Sequence, residues 1–350
     1  MHKKFLLAAL EQARLGVGFC APNPCVGAVA VQNGAIIAQA CHRGAGTPHA
    51  EQLLLAQIPP KTPGISLYIS LEPCNHWGRT PPCVDVIINH GIEEVVFAYL
   101  DPNPIVAQNN SSEKLRAQGI KVTHVPVDEI TEFYTSYAHW TRTRTPRVTV
   151  KMAQSFDGKI GRAEGARALL SNALCGEFTH QMRAATDVIL TSARTIHLDN
   201  PKMNVRLGVT EQAKPVAIID RQLSLNSEAC IFSAASHCLI YHGDERQVSY
   251  PNSSFYLMPA KDEAMDLGAV IRHLGELGYH DVWVEAGGAV FSALHREGLV
   301  HRTYLYLVPT SMEQNAISAY QQNGLFDRAH TVSWRAMDDN MIACIDWQED

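Results

Sequence analysis

The spacing of apolar residues along this chain alternates between the period of a helix and that of a strand. Near the amino end, apolar residues recur at three- and four-residue intervals: Phe5, Leu6, Ala9, Leu10 and Ala13. This spacing places them on one face and predicts an amphipathic first helix. Farther along, short apolar runs bounded by turn residues predict strands, and the alternation as a whole predicts an α/β fold.

Strand and helix patterns follow one another through the first part of the chain. Asn33-Gly34 separates the apolar runs 26–31 and 35–38, which is typical of a tight β-hairpin. Further strands are predicted at residues 65–70, 94–99 and 120–122. Helices are predicted to begin at Pro48 and at Pro73-Cys74, and to cover residues 84–89, 114–118 and 129–140.

A polar stretch with three arginines and a proline, residues 141–147, interrupts this pattern. Such a stretch is typical of a domain boundary. Beyond it, strands are predicted at residues 148–152, 188–190, 216–220, 282–285 and 303–307, with a helix over 267–277. The sequence therefore predicts two α/β domains, residues 1–145 and 146–350.

Composition narrows the class of protein. The chain has 350 residues, of which 46% are hydrophobic and 18% charged, as expected for a globular protein with two cores. Its net charge of −6 disfavours a nucleic-acid partner, which usually requires a basic face. The apolar run 5–10 is too short for a secretory signal or a membrane span, and nine scattered cysteines favour a reducing compartment. We therefore expect a cytoplasmic protein without a membrane partner.

A group of histidine, glutamate and cysteine residues in the first part of the chain indicates a metal-dependent reaction. His49-Ala50-Glu51 is followed by Pro73-Cys74 and then by Cys83. One imidazole and two thiolates are the ligands of a catalytic zinc ion that keeps a fourth position for water. Glu51 does not ligate in this arrangement, because a deaminase needs that carboxylate to move protons. The ordered set predicts a zinc-dependent deaminase with His49, Cys74 and Cys83 as ligands and Glu51 as a catalytic residue.

The two cysteines are separated by eight residues, whereas base deaminases commonly have two between them. His76 and Arg79 lie in this longer spacer. Such cationic donors suit a phosphorylated substrate.

Several motifs resemble the bifunctional deaminase/reductase family of riboflavin biosynthesis. In the first domain they are Ala21-Pro22-Asn23-Pro24-Cys25-Val26-Gly27, Pro48-His49-Ala50-Glu51, Leu71-Glu72-Pro73-Cys74, Gly78-Arg79-Thr80-Pro81-Pro82-Cys83 and Asp101-Pro102-Asn103-Pro104. In the second they are Lys151-Met152-Ala153-Gln154-Ser155-Phe156-Asp157-Gly158, Arg183-Ala184, Thr195-Ile196-His197-Leu198-Asp199-Asn200-Pro201, Arg206 and Glu285-Ala286-Gly287-Gly288.

The resemblance implies a cytidine-deaminase-like three-layer domain followed by a dihydrofolate-reductase-like α/β domain. The first would hydrolyse the 2-amino group of 2,5-diamino-6-ribosylamino-4(3H)-pyrimidinone 5′-phosphate. The second would use NADPH to reduce the ribosyl side chain to ribityl. It also implies the substrate contacts of the deaminase: Asn23, His42, His76, Arg79 and Asn103.

For the reductase, the resemblance implies Asp199 and Lys151 as catalytic residues. The substrate contacts that it implies are Arg183, Met203, Arg206 and Glu285, and the cofactor contacts are Ala153, Thr195, Asp199, Gly287 and Gly288. Glu285 would end a strand, and the glycines would let the backbone approach a phosphate at the start of a helix.

Departures from the family pattern keep alternatives open. Arg167, Leu169 and Arg221 fall where the family has smaller or aromatic residues near the cofactor. The chain could therefore be a monofunctional deaminase with a structural or dimerising remnant. An RNA- or DNA-editing deaminase is a second alternative, which the acidic charge and the long spacer disfavour. We expect a homodimer or higher homo-oligomer, and both NADPH and NADH are compatible with the sequence.

Overall fold

The computed structural model describes residues 1–77, 81–104, 110–162, 170–261, 264–312, 314–320 and 324–348. The chain divides into two compact units, Met1–Arg144 and Thr145–Asp350. In the described part of the chain, no helix is both long and apolar enough to cross a membrane.

The first unit is a five-stranded sheet with helices on both faces. Its strands, in the spatial order β2-β1-β3-β4-β5, are β1 Gly27–Gln32, β2 Ala35–Cys41, β3 Ile65–Leu71, β4 Glu94–Tyr99 and β5 Lys121–His124. Its described helices are α1 His2–Arg14, α2 Ala50–Leu55, α3 Cys83–His90, α4 Ser111–Ala117 and α5 Asp128–Thr143.

Each face of this sheet buries its own apolar cluster. On one face, Leu54 of α2, Ile87 of α3 and Leu115 of α4 pack against the strands. On the other face, α1 and α5 pack with Leu10 and Tyr134 at the centre. The predicted first helix and the three-layer α/β architecture are confirmed. The predicted hairpin is also confirmed, because Asn33 and Gly34 take φ angles of 52° and 77° between β1 and β2.

The prediction that Pro73-Cys74 opens a helix is wrong. Residues 72–77 have no helical turn, and α3 begins at Cys83 with Pro82 at its N-cap. Both prolines suit the start of a helix, but the apolar helical periodicity starts only at Val84. Cys74 therefore lies in an irregular segment that follows β3 at the edge of the sheet, before α3 begins.

The linker between the two units is shorter than the predicted polar stretch 141–147. α5 runs on to Thr143, and the next strand begins at Arg147. Arg144 ends the helix in the left-handed region, with φ 60°, and its guanidinium lies 4.5 Å from the centre of the Trp140 ring. The threonines and arginines of this stretch mostly continue an exposed helix, which their polarity did not reveal.

The second unit is a nine-stranded sheet. Its strands, in the spatial order β13-β12-β11-β8-β16-β6-β17-β20-β19, are β6 Arg147–Ser155, β8 Val188–Ser192, β11 Pro215–Ile219, β12 His237–His242, β13 Ser253–Leu257, β16 Asp281–Val284, β17 Arg302–Val308, β19 His330–Met337 and β20 Asn340–Trp347. Shorter strands form separate pairs: β7 Lys159–Gly161 with β18 Ile317–Ser318, β9 Val205–Leu207 with β10 Thr210–Gln212, and β14 Ala260–Lys261 with β15 Ala264–Met265.

The described helices of this unit connect the parallel strands. They are α6 Ala173–Ala184, α7 Ala193–Asp199, α8 Cys230–Ala234, α9 Leu267–Glu276 and α10 Gly288–Arg296, with a 3-10 turn at Leu325–Asp327. The seven strands from β13 to β17 in the sheet order run parallel, so their carboxyl ends share one edge. Ligands of open parallel sheets bind at that edge.

The antiparallel hairpin β19–β20 was not predicted. Its strands close the sheet beside β17, and the turn between them contains Asp338 with φ 59°. β20 buries Ile342, Ala343 and Ile345, whereas β19 is mostly exposed. The polar composition of β19 hid its strand character, because an edge strand needs few buried side chains.

Candidate active sites

The three predicted zinc ligands lie together in the first unit. His49 is the N-cap residue of α2, Cys74 follows β3, and Cys83 is the first residue of α3. Their donor atoms all lie within 4.8 Å of one another. His49 Nδ1 is 3.2 Å from Cys83 Sγ and 3.5 Å from Cys74 Sγ.

The chemistry of this donor set fits zinc. One nitrogen and two sulfur ligands are the types that Zn²⁺ prefers, and three protein ligands are the number that catalytic zinc sites use. Hydrogen bonds from Cys83 and His49 lower the pKa of the Cys74 thiol, which favours the thiolate at this ligand. Among the described residues, this is the cluster of histidine, cysteine and acidic side chains close enough to hold a metal ion.

Glu51 lies in the first turn of α2 beside these ligands. Its side chain is almost completely buried, at 3% exposure, and burial raises the pKa of its carboxyl group above the usual value. A carboxyl group with a raised pKa can both accept and release a proton near neutral pH. The arrangement therefore places a proton carrier next to the metal ligands.

His42 and Asn23 form a hydrogen-bonded pair next to the metal ligands. His42 is buried, and its Nδ1 donates to the carbonyl oxygen of Pro48 at 3.3 Å. Its Nε2 then accepts from Asn23 Nδ2 at 3.1 Å. Burial lowers the pKa of His42, which favours this neutral state. The His42 ring lies 5.3 Å from the His49 ring, so the pair borders the metal site.

Asn103 is held by a residue that sequence reasoning missed. Asp101 Oδ1 accepts the backbone N–H of Asn103 at 2.9 Å and the hydroxyl of Tyr137 at 3.3 Å. Burial raises the pKa of Asp101 to about 6. The turn after β4 is thereby fixed beside the segment that follows β3. His76 is half-buried in that segment, and Arg79 lies outside the described residues.

Lys114 fixes the start of the long spacer. Its Nζ donates to Asn75 Oδ1 at 2.9 Å and to Asp85 Oδ1 at 2.6 Å. This bridge joins α4, α3 and the spacer at the surface of the unit.

The second unit has a polar network centred on Glu285, directly after β16. Arg183 on α6 donates from Nε and Nη2 to the two carboxylate oxygens, at 2.6 and 2.9 Å. Trp283 Nε1 donates to the same carboxylate at 2.7 Å. Burial opposes ionisation, but the charge and hydrogen bonds of Arg183 outweigh it and lower the pKa of Glu285 to about 2.

The rest of the Arg183 guanidinium points into the protein. Nη1 donates to the carbonyl oxygen of Asn204 at 2.9 Å, and Nη2 lies 3.6 Å from Met203 Sδ. The Met203 side chain is buried, and its backbone has a left-handed conformation with φ 51°. The guanidinium of Arg183, which the family resemblance implies as a substrate contact, thus binds Glu285 and Asn204 within the protein. Arg206 is exposed, and its Nη1 donates to Asn204 Oδ1.

Lys151 and Ala153 lie on β6, near the same network. The Lys151 Nζ is 5.0 Å from the centre of the Tyr306 ring. Burial lowers the pKa of Lys151, and the charges of Glu285 and Asp199 act in the opposite direction. A lysine with a lowered pKa can donate a proton more readily.

Thr195 and Asp199 lie on α7. Ser192 is the N-cap residue of this helix, and its Oγ accepts the backbone N–H of Thr195 at 3.4 Å. Asp199 is the exposed last residue of the helix. Both follow β8, the neighbour of β16 in the sheet.

The two glycines after Glu285 have different reasons to be glycine. Gly287 is the N-cap residue of α10, and a Cβ there would meet nothing within 4 Å. A Cβ on Gly288 would lie 3.2 Å from the carbonyl oxygen of Ala319 and 3.3 Å from Ile160. A side chain at Gly288 would therefore be crowded by packing within the chain, whereas the open space at Gly287 fits close approach of a cofactor phosphate to a helix N-terminus.

Three residues depart from the family pattern near the predicted cofactor site. Two of them, Arg167 and Leu169, lie outside the described residues. Arg221 is exposed at the carboxyl end of β11, and its carbonyl oxygen accepts from the Gly243 N–H at 3.0 Å.

Comparison with known proteins assigns both units. Residues 1–99 match the cytidine and deoxycytidylate deaminase zinc-binding region, and residues 146–343 match the RibD C-terminal domain. Fold and site thus define a zinc-region deaminase joined to a reductase-type α/β domain in one chain.

Relatives match along almost the whole chain. Riboflavin biosynthesis protein RibD of Aquifex aeolicus is 32% identical over 316 residues, covering 89% of this chain and 88% of that protein. RibD of Escherichia coli is 30% identical, covering 89% of each. A Thermotoga maritima structure, described as a diaminohydroxyphosphoribosylaminopyrimidine deaminase/5-amino-6-(5-phosphoribosylamino)uracil reductase, has a TM-score of 0.85 at 28% identity and 99% coverage of both chains.

The chain belongs to the RibD family of riboflavin biosynthesis proteins. Because the matches extend through both units, they favour a chain with a deaminase and a reductase domain over a deaminase with a remnant.

Proposed function

We propose that this chain catalyses two consecutive steps of riboflavin biosynthesis, a hydrolytic deamination and then an NADPH-dependent reduction. The proposed first substrate is 2,5-diamino-6-ribosylamino-4(3H)-pyrimidinone 5′-phosphate, and the second step converts the ribosyl side chain to ribityl. The observation that carries the proposal is the presence of both the His49–Cys74–Cys83 cluster and the Glu285 network in a chain that matches the family along both units.

In the deaminase unit, His49, Cys74 and Cys83 would hold the zinc ion, whose charge activates the attacking water. Glu51, buried beside the ligands, would accept a proton from the attacking water and pass it to the departing amine. Asn23 is paired with His42 and the backbone of Asn103 is bound by Asp101, and each asparagine offers an amide that can donate to and accept from a pyrimidinone edge. His42 fixes Asn23, and His76 and Arg79 bind the phosphate-bearing side of the substrate.

In the reductase unit, NADPH supplies the hydride. Gly287, Thr195 and Ala153 lie at or near the carboxyl edge of the sheet, where the cofactor is proposed to bind. Lys151 and Asp199 are proposed to handle the proton at the reacting sugar. Arg183 holds Glu285 and Met203 in place, so that Glu285 can bind hydroxyl groups of the substrate and Arg206 its phosphate.

The test uses purified full-length protein with the deaminated pyrimidine phosphate and either NADPH or NADH. We expect loss of nicotinamide absorbance with NADPH, and we expect Asp199→Asn to abolish it while ammonia release from the diamino substrate continues. Ammonia release without oxidation of either nicotinamide would leave the deaminase assignment standing and remove the reductase.

A cytoplasmic location and a homodimeric or larger assembly belong to the same proposal. The acidic composition and the scattered cysteines support the location, and the exposed edge strand β19 supports the assembly. Size-exclusion chromatography with light scattering measures the assembly.

A further inference from the structure

Helix α6 contacts one short segment of the chain at two points. Arg183 binds the segment at Met203 and Asn204. His180, three residues earlier and thus on the same helix face, binds it at Arg206, whose backbone N–H donates to His180 Nδ1 at 3.0 Å. The two contacts therefore hold this segment from one face of a single helix.

The contact with His180 fixes the backbone that carries Arg206. Arg206 lies in the middle of β9, whose sole partner strand among the described residues is the three-residue strand β10. So short a hairpin is marginally stable by itself, and its residues need outside contacts to hold one conformation. The His180 ring supplies such a contact at the N–H of Arg206 itself.

The protonation state of His180 follows from this geometry. A nitrogen that accepts an N–H carries no proton, so the neutral ring has its proton on Nε2. Burial and the nearby charges of Arg183 and Arg206 lower the pKa of His180, so the accepting form persists at neutral pH.

The Arg206 side chain is directed by a buried partner. Asn204 is 1% exposed and accepts from Arg206 Nη1, while its own amide donates to Glu211 on β10. Backbone and guanidinium are therefore both held, yet the side chain is exposed. A planar guanidinium held in this way is suited to the bidentate binding of a phosphate monoester.

We propose that His180 is a positioning residue that fixes Arg206 for the 5′-phosphate of the reductase substrate, and so sets the preference of this unit for phosphorylated ligands. This inference rests on the proposed function only in taking the phosphoribosyl pyrimidine as the ligand. A fixed guanidinium loses less freedom on binding, so removing His180 weakens phosphate binding without removing a direct contact.

The test compares substitutions that differ in one acceptor. His180→Leu keeps much of the side-chain volume but cannot accept the Arg206 N–H, whereas His180→Asn keeps an acceptor oxygen near the Nδ1 position. Gln181→Ala, an exposed position on the same helix, is the control. KM and kcat are measured by NADPH oxidation, which reports only the reductase, with the deaminated pyrimidine phosphate and with its dephosphorylated nucleoside.

We expect His180→Leu to raise KM for the phosphate about 3- to 10-fold, the effect of one hydrogen bond, with kcat and the KM for the nucleoside unchanged. His180→Asn should restore KM, and His180→Leu should have no further effect in an Arg206→Ala background. Equal weakening of both ligands, or an undiminished effect without Arg206, would overturn the inference.

A second measurement separates this inference from the proposed function. The imidazole NMR signals of His180, assigned by their loss in His180→Asn, are followed during titration with the same phosphate and nucleoside. A shift with the phosphate alone supports the role of His180 even if no nicotinamide is oxidised. Normal turnover combined with unmoved His180 signals removes the role and leaves the proposed function intact.

Discussion

The two units of this chain assemble their polar groups in different ways. In the first unit, the three metal ligands and Glu51 come from 35 consecutive positions, residues 49–83, and meet where two helices begin beside one strand. In the second unit, Arg183, Asn204 and Glu285 are separated by up to 102 positions and are joined by an ion pair and hydrogen bonds. One site is local in sequence, and the other depends on the order of strands in the sheet.

This difference determines how each site is stabilised. A metal ion can tie the local cluster together, because its ligands are neutral or anionic groups that bind strongly. The distant cluster contains opposite charges that are almost buried, and each charge is tolerated only because the other is present. The first site should therefore respond most to loss of a ligand, and the second to loss of one member of its ion pair.

The largest effect is expected from Cys83→Ala. The variant should lose stoichiometric zinc and all measurable ammonia release, because two ligands cannot hold the ion. NADPH oxidation with deaminated substrate should be unchanged. Metal analysis and an ammonia assay are the measurements, with Cys230→Ala as a thiol control in the other unit. Full zinc content with normal ammonia release in Cys83→Ala would remove the ligand assignment.

Glu51→Gln separates metal binding from proton transfer in the same unit. Zinc should remain, because Glu51 is not one of the three clustered donors. Deamination should slow about 10²- to 10⁴-fold, the typical contribution of a positioned general acid–base. If ammonia release proceeds at the wild-type rate, the carboxyl group has another role.

Much of the first site could be predicted from sequence because its signal is short. His49, Glu51, Cys74 and Cys83 stand at fixed spacings, and their placement at one sheet edge follows from the strand and helices between them. Asp101 was missed as the residue that holds Asn103, since a turn-forming aspartate looks the same whether or not it is buried.

The second site was harder to predict because its contacts join distant positions. The strands themselves were found by their apolar runs, yet Glu285 reaches Arg183 only when β16 inserts between β6 and β8. The contact between His180 and Arg206 likewise joins two elements, α6 and β9, that are separate in the sequence. The sequence does not distinguish Arg183 from Arg206, yet Arg183 is buried and Arg206 is exposed.

The ion pair of the second unit provides the next prediction. Arg183→Leu leaves Glu285 without its oppositely charged partner in a site where the two side chains are 10% and 12% exposed. The free energy of unfolding should fall by about 3–5 kcal/mol, and Arg183→Leu/Glu285→Leu should recover most of it. Chemical denaturation measures both. A double variant no more stable than the single one would argue against a coupled pair.

The same pair gives a pH dependence. The pKa of Glu285 is about 2 in the folded protein and near 4.5 when unperturbed. The stability that its ionisation contributes, about 3 kcal/mol, is therefore fully present above about pH 4.5 and is lost as the pH falls toward 2. Denaturant titrations at several pH values should show this slope in the wild type and not in Arg183→Leu/Glu285→Leu. An equal slope in both would assign the acid sensitivity to other groups.

The smallest effect is expected at an exposed ion pair of the first unit. Lys114 and Asp85 are 42% and 36% exposed, so water screens their interaction. Lys114→Ala should lower the free energy of unfolding by at most about 1 kcal/mol. A loss as large as that of Arg183→Leu would contradict the contrast between surface and buried pairs.

The most direct test of two activities in one chain is a single reaction that starts from the diamino pyrimidine phosphate and NADPH. Ammonia and nicotinamide oxidation are followed together in the wild type and in Glu51→Gln. We predict that ammonia appears first, that oxidation follows in equal amount, and that Glu51→Gln slows both. Added deaminated substrate should then restore the oxidation but not the ammonia release. Ammonia release with no oxidation, or oxidation that does not depend on prior deamination, would contradict the account.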